Sequence, residues 1–392
     1  MASPCILVTA VEPSADLLGA QLVRALARRL PAARFVGVGG PELAAAGLVS
    51  AFDPAALAVV GVANAARIYP KVRWAVRQTV EAAQRERPDV AVLIDAWGFS
   101  IRLATALRRI LPGLPLVKYI APQVWATRAW RSRALARRVD RLLTILPFEA
   151  PMFEAAGLAV DFVGNPALAR RSGQDPPPER EPRTVLVLPG SRAGEVRRLM
   201  PAFGEAIDRL AALYPDLRVI LGVAPSVADQ AVAAARAWTQ RPDEIARSED
   251  QRDTAMRRAT AALACSGTVT TQLAVAGCPM VVAYRLDVLT YPIARLLIRT
   301  PWVTLLNVAA RRFVVPERIQ GRCTGPALAA DLARLLDDPA LQARQASEQN
   351  DAVALLAGGI EDPVGAAADA IVRVLNTVTE AAQMAPPEPT LL

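Results

Sequence analysis

The sequence predicts an α/β protein with two domains, each built on a doubly wound parallel sheet. In the first half, short apolar runs typical of buried strands alternate with longer helical stretches, which is the pattern of βαβ units. A Pro-rich, charged stretch at 166–182 interrupts the alternation, which starts again at Thr184. Because each half opens with a strand, a polar loop and a helix, we expect two Rossmann-like domains facing a cleft.

The first half predicts one of these domains, over residues 1–165. It opens with an apolar strand over 5–10 and a helix over 17–29, since an unbroken apolar run is typical of a strand buried on both faces. Further strands are predicted at 35–38, 90–95, 115–120, 142–146 and 162–164, with helices ending near 87 and spanning 101–111.

The second half predicts the other domain, over 183–355, after a linker at 166–182. Strands are predicted at 184–188, 217–223, 261–265 and 280–284, and helices at 194–213, 269–276, 326–336 and 339–350. Residues 240–252 are polar and loop-rich, and the pattern does not position the weak strand that is expected there. A C-terminal helix within 356–378 is expected to return to the N-terminal domain. The tail at 379–392 contains several prolines and is expected to be disordered.

The uncharged stretch 259–284 is the most informative part of the second half. Its length alone would allow a transmembrane helix, but the polar turn at 266–268 and the later Pro279 interrupt it. A strand, a turn, a helix and a second strand explain the pattern better, with Thr268 as the helix N-cap. The first N–H groups of that helix, at 269–271, lack partners within it, so the turn is a candidate phosphate site. An ordinary capped helix is the alternative.

The composition excludes several kinds of chemistry. The 392 residues contain no histidine, which removes His-based triads, His general bases and His metal ligands. The four cysteines show no C-x-x-C spacing, so the common zinc and redox motifs are absent and a reducing cytoplasm is expected. The net charge of +8 fits an anionic partner, which could be a phosphorylated substrate, a membrane surface or a nucleic acid.

Several short motifs, in the same order along the chain, carry a resemblance to a known family. They are GGP at 39–41, APQVWATR at 121–128, LPFE at 146–149, LPGSR at 188–192, SGT at 266–268, CPMVVAYR at 278–285 and VPERIQ at 315–320. Together they resemble lipid-A-disaccharide synthase from about residue 5 to 375. The resemblance implies a GT-B-like fold and an inverting glycosyltransferase. The family joins UDP-2,3-diacylglucosamine to 2,3-diacylglucosamine 1-phosphate in lipid A biosynthesis, releasing UDP, and it uses no metal or other cofactor.

The resemblance assigns the UDP-sugar donor to the second half of the chain. The donor-side residues are Ser191, Arg192, Ser266, Gly267, Thr268, Gln272, Asn307, Glu317 and Gln320. Arg192 is the best candidate for a phosphate ligand, because an arginine at a helix start opposes the helix dipole and needs a reason to be there. Glu195 fits a capping acid for the same helix.

The first half holds the catalytic and acceptor candidates. The candidate catalytic acids are Glu12, Asp16 and Asp95, and the candidate acceptor residues are Ser14, Trp125 and Arg128. Asp95 ends a buried strand at a position like the switch point of a doubly wound sheet. A structural acid bonded to backbone N–H groups is the alternative interpretation of Asp95.

The chain departs from the family's pattern at several positions. The two glycines of the opening G-E-x-S-G-D loop are Val11 and Ala15 here. The second acid of the I-D-A-P-D-F motif, which is the family's presumed catalytic aspartate, is Gly98. The glutamate expected after the SGT turn is Gln272, and a serine near 123 is Gln123. A neutral amide at 272 can still bond a ribose hydroxyl.

Two alternative functions stay open from the sequence. One is another UDP-sugar transferase of the same fold. The other is a non-catalytic or altered relative that binds a UDP-sugar or a lipid, which Gly98 and Gln272 suggest. A nucleic acid partner is disfavoured, because the basic charge is dispersed and no groove-reading motif is visible.

The sequence also predicts contact with a membrane surface. Segments 125–141 and 288–308 combine aromatic side chains with arginines, and the acceptor implied by the resemblance is acylated. We therefore expect peripheral, salt-sensitive binding to the anionic inner membrane. A solvated helix face is the alternative for 125–141, and homodimer formation is left open.

Overall fold

The computed structural model describes residues 3–57, 65–124, 130–169, 180–287 and 300–384. The chain divides into two compact units. Unit 1 comprises Met1–Ala169 and Ile360–Leu392, and unit 2 comprises Arg170–Gly359. Each unit holds one parallel sheet, so the predicted α/β fold class is confirmed.

Unit 1 is built on a seven-stranded sheet in the order β3-β2-β1-β4-β5-β6-β7. Its strands are β1 (Cys5–Thr9), β2 (Arg34–Val38), β3 (Leu48–Ser50), β4 (Val90–Ile94), β5 (Leu116–Tyr119), β6 (Arg141–Thr144) and β7 (Ala159–Phe162). Side chains of β1 alternate between two buried clusters on the two faces of the sheet, with Ile6 and Val8 in one and Cys5 and Leu7 in the other. Burial on both faces explains why this strand is apolar at every position.

The helices of unit 1 cover both faces of that sheet. They are α1 (Pro13–Arg29), α2 (Pro41–Ala45), α3 (Ala65–Glu86), α4 (Trp97–Ile110), α5 (Trp130–Ala136), α6 (Ala150–Glu154) and α7 (Pro166–Ala169). The C-terminal helix, Pro363–Met384, also belongs to this unit and packs against α1. An ion pair of 2.5 Å joins Arg29 Nε to Asp369 Oδ1 at this contact. The predicted return of the last helix to the N-terminal domain is therefore confirmed.

Unit 2 is built on a six-stranded sheet in the order β10-β9-β8-β11-β12-β13. Its strands are β8 (Glu181–Leu188), β9 (Arg218–Gly222), β10 (Glu244–Ala246), β11 (Ala259–Cys265), β12 (Met280–Tyr284) and β13 (Glu317–Ile319). Its helices are α8 (Ala193–Leu213), α9 (Ala228–Ala235), α10 (Glu249–Arg258), α11 (Thr268–Val275), α12 (Leu305–Ala310), α13 (Gly325–Asp337) and α14 (Pro339–Ala357). The C-terminal helix of unit 1 is then α15.

The structure differs from the sequence prediction at a few elements. In the loop-rich stretch 240–252, the expected weak strand is β10, and the start of α10 follows it, where Ser248 caps the helix by accepting from Gln251 N. Helix α15 continues to Met384, beyond the predicted end at 378 and into the predicted disordered tail, because residues 379–384 contain no Pro or Gly. The predicted linker begins with α7 and ends at β8, while 170–179 lie outside the described residues.

The stretch 259–284 forms β11, α11 and β12, as the sequence predicted. Every residue of β11 is buried, which accounts for its lack of charge. Among the described residues, no helix combines the length and apolar character needed to cross a membrane.

Candidate active site

The strand order places the predicted site loops at the switch point of each sheet. In unit 1 the order reverses between β1 and β4, and in unit 2 it reverses between β8 and β11. Loops that follow neighbouring strands on either side of such a reversal diverge and leave a crevice at the carboxyl edge, where α/β proteins bind their ligands. Glu12 and Asp95 follow β1 and β4, and Arg192 and Ser266 follow β8 and β11.

Asp95 lies in a strained turn, and its own backbone N–H and carbonyl are both hydrogen-bonded. Asp95 and Ala96 are both in the left-handed region, with φ of 44° and 43°, which is costly for residues other than glycine. Asp95 N donates to Tyr119 O at 3.0 Å, and Asp95 O accepts from Ser100 Oγ at 2.6 Å. In the described part of unit 1, no donor is hydrogen-bonded to the half-buried carboxylate. This group is therefore a candidate base, rather than a structural acid bonded to backbone N–H groups.

Lys118 in β5 is a residue of this edge that the sequence analysis missed. Its side chain is buried, and Nζ donates to the carbonyl oxygen of Asp95, to Leu93 O at 3.2 Å and to Tyr119 O at 3.3 Å, with Ser100 Oγ at 3.4 Å. The only sequence signal is one lysine inside an apolar run. Burying an ammonium is expensive, so a fully bonded one beside the Asp95 turn points to a local requirement.

Asp16 has a structural role, which corrects its assignment as a catalytic acid. Its buried carboxylate accepts from Gly40 N at 2.7 Å, Glu42 N at 3.0 Å and Leu43 N at 3.3 Å. These are the unpaired N–H groups at the start of α2. Both carboxylate oxygens are thus occupied by backbone donors of the protein and are not presented to a substrate hydroxyl.

The other predicted residues of this loop are accessible. Glu12 is the exposed N-terminal cap of α1, and Ser14 is exposed in its first turn. Gly98 is exposed in the first turn of α4, and a Cβ there would meet only Arg102 Nη1 at 3.9 Å. Trp125 and Arg128 lie outside the described residues.

Arg192 and Ser191 form an exposed loop between β8 and α8 that Glu195 holds in place. The buried Glu195 carboxylate accepts from Ser191 N at 3.2 Å and Arg192 N at 3.3 Å, and its other oxygen accepts from Arg192 Nη1 at 3.0 Å. Gly190 has a φ of 105°, and a Cβ there would meet Glu195 Oε2 at 2.5 Å. The Arg192 side chain is 77% exposed, so a guanidinium fixed at one nitrogen remains open to a ligand.

The turn at 266–268 presents backbone donors at the start of α11. Gly267 takes the N-cap position, not Thr268 as predicted, because the helix already begins at Thr268. Thr270 N donates to Gly267 O at 3.2 Å, which corrects its assignment as an unpaired donor. Within the described residues, the N–H groups of Thr268 and Val269 have no acceptor. Ser266 Oγ donates to Val303 O at 3.0 Å, and Gln272 is exposed.

Asn307 and Glu317, which the resemblance assigns to the donor, are hydrogen-bonded to each other in a largely buried network. Asn307 is completely buried and Nδ2 donates to Glu317 Oε1 at 2.8 Å, while Oδ1 accepts from Val314 N and Val315 N. Glu317 Oε1 also accepts from Thr304 N and Thr304 Oγ1, both at 2.8 Å.

Gln320 belongs to the same part of unit 2 and is half-buried. It has a φ of 52°, and its Oε1 accepts from Leu286 N at 2.8 Å. Its amide nitrogen makes no hydrogen bond within the described residues, so one polar group of this side chain remains open to a ligand.

The chain is similar over most of its length to lipid-A-disaccharide synthases. The sequence profile described as lipid-A-disaccharide synthetase matches residues 6–368. The synthase of Rhodospirillum centenum is 39% identical over 384 residues, which cover 95% of this chain and 94% of that protein. The synthase of Nitrobacter winogradskyi is 38% identical over 379 residues, which cover 95% and 96%.

Solved structures with the same fold include a complex with UDP and a glycosyltransferase. A co-structure of S. aureus MnaA with UDP matches with a TM-score of 0.63 at 14% identity, covering 98% of this chain and 99% of that one. The calicheamicin glycosyltransferase CalG4 matches with a TM-score of 0.57 at 18% identity, covering 96% and 100%. At these identities the likeness supports the fold alone.

Proposed function

The chain belongs to the lipid-A-disaccharide synthetase family, and on that premise we propose that it joins UDP-2,3-diacylglucosamine to 2,3-diacylglucosamine 1-phosphate and releases UDP. The observation that carries the proposal is the similarity to curated synthases along nearly the whole chain. The site geometry agrees, because each sheet presents polar side chains at its switch point.

The reaction needs one proton acceptor and one anion site. The acceptor hydroxyl oxygen attacks the anomeric carbon of the donor, the bond between that carbon and the diphosphate oxygen breaks, and UDP leaves with the electron pair. We assign the proton to the Asp95 carboxylate, with Glu12 as the alternative base. The charge that develops on UDP is assigned to Arg192 and the N–H groups at the start of α11, a type of electrostatic stabilisation that is often the largest catalytic contribution.

A single-turnover assay tests the proposal. Purified protein is mixed with both acylated sugars in detergent, and disaccharide and UDP are quantified together. Equal amounts of the two products are expected. Turnover of a non-acylated UDP-sugar in preference to the acylated donor would favour another UDP-sugar transferase. UDP-sugar binding without any product would favour the non-catalytic alternative.

Replacing Arg192 with alanine is expected to weaken UDP binding by about 10- to 100-fold, because a charged hydrogen bond contributes about 1.5–3 kcal/mol. Isothermal titration calorimetry with UDP measures the effect. Arg209→Ala serves as the matched control, since Arg209 is an exposed arginine of the same helix, about 25 Å further along its axis. Equal affinity of wild type and Arg192→Ala would exclude Arg192 as a phosphate ligand.

We also propose that unit 1 binds an anionic membrane surface peripherally. Thr105, Arg108, Arg109, Arg137 and Arg138 line a cleft of about 310 Å³ at the ends of α4 and α5. Arg108 and Arg138 are anchored, for example by Arg108 Nη1 to Pro112 O at 2.8 Å and Arg138 Nη1 to Ala134 O at 2.6 Å. Arg109 and Arg137 are exposed and make no ion pair within the described residues. Trp130 at the start of α5 is 60% exposed, which suits an interfacial aromatic side chain.

Changing both Arg109 and Arg137 to glutamine is expected to weaken binding to phosphatidylglycerol vesicles by about 10- to 30-fold at low salt. The reason is that each arginine near an anionic surface contributes about 1 kcal/mol to the binding free energy. Sedimentation with vesicles measures this, and 0.5 M NaCl should reduce wild-type binding. The double variant Arg24→Gln and Arg28→Gln removes the same charge from α1, which packs on the other face of the sheet. An equal loss of vesicle binding in both double variants would mean that binding depends on the net charge of the protein and not on the positions of Arg109 and Arg137.

A further inference from the structure

We propose that Lys118 is a positioning residue for the transfer reaction: its buried ammonium holds the Asp95–Ala96 turn in its left-handed conformation and so fixes the direction of the Asp95 carboxylate. The inference rests on the proposed function for its kinetic consequence only. Its structural part stands on the contacts of Lys118 alone.

The contacts of Lys118 converge on one short turn. Nζ donates to Asp95 O, to the carbonyl two residues before it (Leu93 O, 3.2 Å) and to Tyr119 O (3.3 Å). Tyr119 O also accepts from Asp95 N at 3.0 Å. Lys118 therefore binds both the carbonyl of Asp95 and the carbonyl that receives the amide of Asp95.

Ser100 completes the arrangement from the first turns of α4. Its Oγ donates to Asp95 O at 2.6 Å and lies 3.4 Å from Lys118 Nζ. The carbonyl of Asp95 thus receives two donors, one from β5 and one from α4. The backbone N–H and carbonyl of Asp95 are therefore hydrogen-bonded within unit 1. Its carboxylate takes part in none of these bonds and remains available at the edge of the sheet.

The conformation of the turn explains why such support is needed. Two successive residues with side chains have φ near +44°, a conformation that normally favours glycine. Strained backbone of this kind persists only where surrounding contacts over-determine it, and it concentrates at functional sites. Without the Lys118 contacts, we expect the turn to relax and the Asp95 carboxylate to move.

The ammonium is not suited to act as the base itself. Its hydrogens are directed at protein acceptors and the side chain is buried. Burial lowers the pKa of Lys118 to about 7, while the negative charges of Asp95 after β4 and Glu12 before α1 act in the opposite direction. The charged groups that face Lys118 are thus the two candidate bases.

Two variants test the inference. Lys118→Met keeps the length of the side chain and removes the charge, and kcat is expected to fall by about 100-fold, the effect of misplacing a reacting group by about 1 Å. The KM for the UDP-sugar donor should stay near its wild-type value. Ser100→Ala removes one neutral hydrogen bond to Asp95 O, and its kcat should fall by about 2- to 10-fold. If Lys118→Met does not fold, the fall in kcat of Ser100→Ala tests the inference instead.

The split between kcat and KM separates positioning from a general structural role. In Lys118→Met, kcat per folded molecule should fall while the KM for the donor stays unchanged, because a misplaced base slows the chemical step and leaves donor binding intact. A variant that is only less stable would contain less folded enzyme and keep the wild-type kcat per folded molecule. Thr377→Ala is the matched control for Ser100→Ala, because Thr377 Oγ1 also donates to a backbone carbonyl, four residues earlier on α15.

Crystal structures of wild type and both variants give a readout that does not depend on activity. A shift of Asp95 out of the left-handed region in Lys118→Met supports the inference. Retention of the wild-type turn in both variants would overturn it, even if wild type forms no disaccharide. Wild-type kinetics in Lys118→Met together with an active wild type would overturn it as well, while absence of wild-type product would count against the proposed function alone.

Discussion

Replacing Asp95 with asparagine is expected to slow disaccharide formation in a single turnover by about 100- to 10,000-fold, the usual contribution of a positioned base. Asparagine has nearly the same shape, and the backbone bonds of Asp95 to Tyr119 and Ser100 do not involve its side chain. The turn should therefore persist while the proton acceptor is lost. Quenched-flow measurement of the disaccharide, with both sugars saturating, gives the rate.

Glu12 and an exposed acid provide the comparison. Glu12→Gln tests the alternative base after β1, and Glu154→Gln removes an exposed carboxylate at the end of α6 as a control. A large loss in Glu12→Gln with a normal rate in Asp95→Asn would transfer the role to Glu12. Wild-type rates in both Asp95→Asn and Glu12→Gln would show that neither acid is the base.

Gly98 offers a gain-of-function variant on the same edge. A Cβ at this position meets no atom closer than Arg102 Nη1 at 3.9 Å, so Gly98→Asp should fold normally. If Asp95 is the base in place of the family's aspartate, adding Gly98→Asp should raise the rate of the Asp95→Asn variant more than it raises the rate of wild type. An inactive wild type that Gly98→Asp activates would instead identify the chain as a non-catalytic relative.

The strand pattern could be predicted because most strands are buried on both faces. Runs such as those of β1, β4 and β11 contain no charged residue and at most one threonine, so their positions follow from composition alone. The switch-point loops followed from the same pattern, which is why Asp95 and Arg192 could be selected. The strands β3, β10 and β13 have three residues each, and three residues are too few to show a period.

The role of an individual polar residue could not be predicted in the same way. Asp16 and Asp95 both lie near the carboxyl end of an apolar strand, yet only Asp16 meets three backbone donors, which come from residues 40–43 of another loop. Lys118 looks in sequence like the solvent-facing residue of an edge strand. Its Nζ is enclosed by the end of β4, the Asp95 turn and Ser100 of α4, and that is information about tertiary neighbours.

Replacing Glu317 with alanine is expected to lower the free energy of unfolding of unit 2 by about 3 kcal/mol. The carboxylate accepts from the amides of Val303 and Thr304, the Thr304 hydroxyl and the Asn307 amide. Thr304 and Asn307 are buried, so their donors would lose a partner that water does not easily replace. Each buried donor left unpaired costs about 1–3 kcal/mol, although a small cavity can admit a water and recover part of that loss.

Urea unfolding monitored by tryptophan fluorescence measures the effect, with the transition of unit 2 fitted separately because a two-unit chain need not unfold in one step. Glu249→Ala is the control, since Glu249 is an exposed acid in the first turn of α10 and should change stability by less than about 1 kcal/mol.

The Glu317 experiment also decides between the structural role and the ligand role suggested by the family resemblance. If Glu317 only holds α12 against β13, its replacement should reduce the fraction of folded protein and leave the UDP affinity of the folded protein unchanged. A carboxylate that binds the donor should weaken UDP binding in Glu317→Gln as well, where amide oxygen and nitrogen replace the two acceptors. Because Glu317 Oε1 already receives Thr304 N, Thr304 Oγ1 and Asn307 Nδ2, each at 2.8 Å, little acceptor capacity remains for a ligand hydroxyl. Reduced stability with unchanged UDP affinity of the folded fraction is therefore the expected result, and normal stability with weakened UDP binding would restore Glu317 to the donor site.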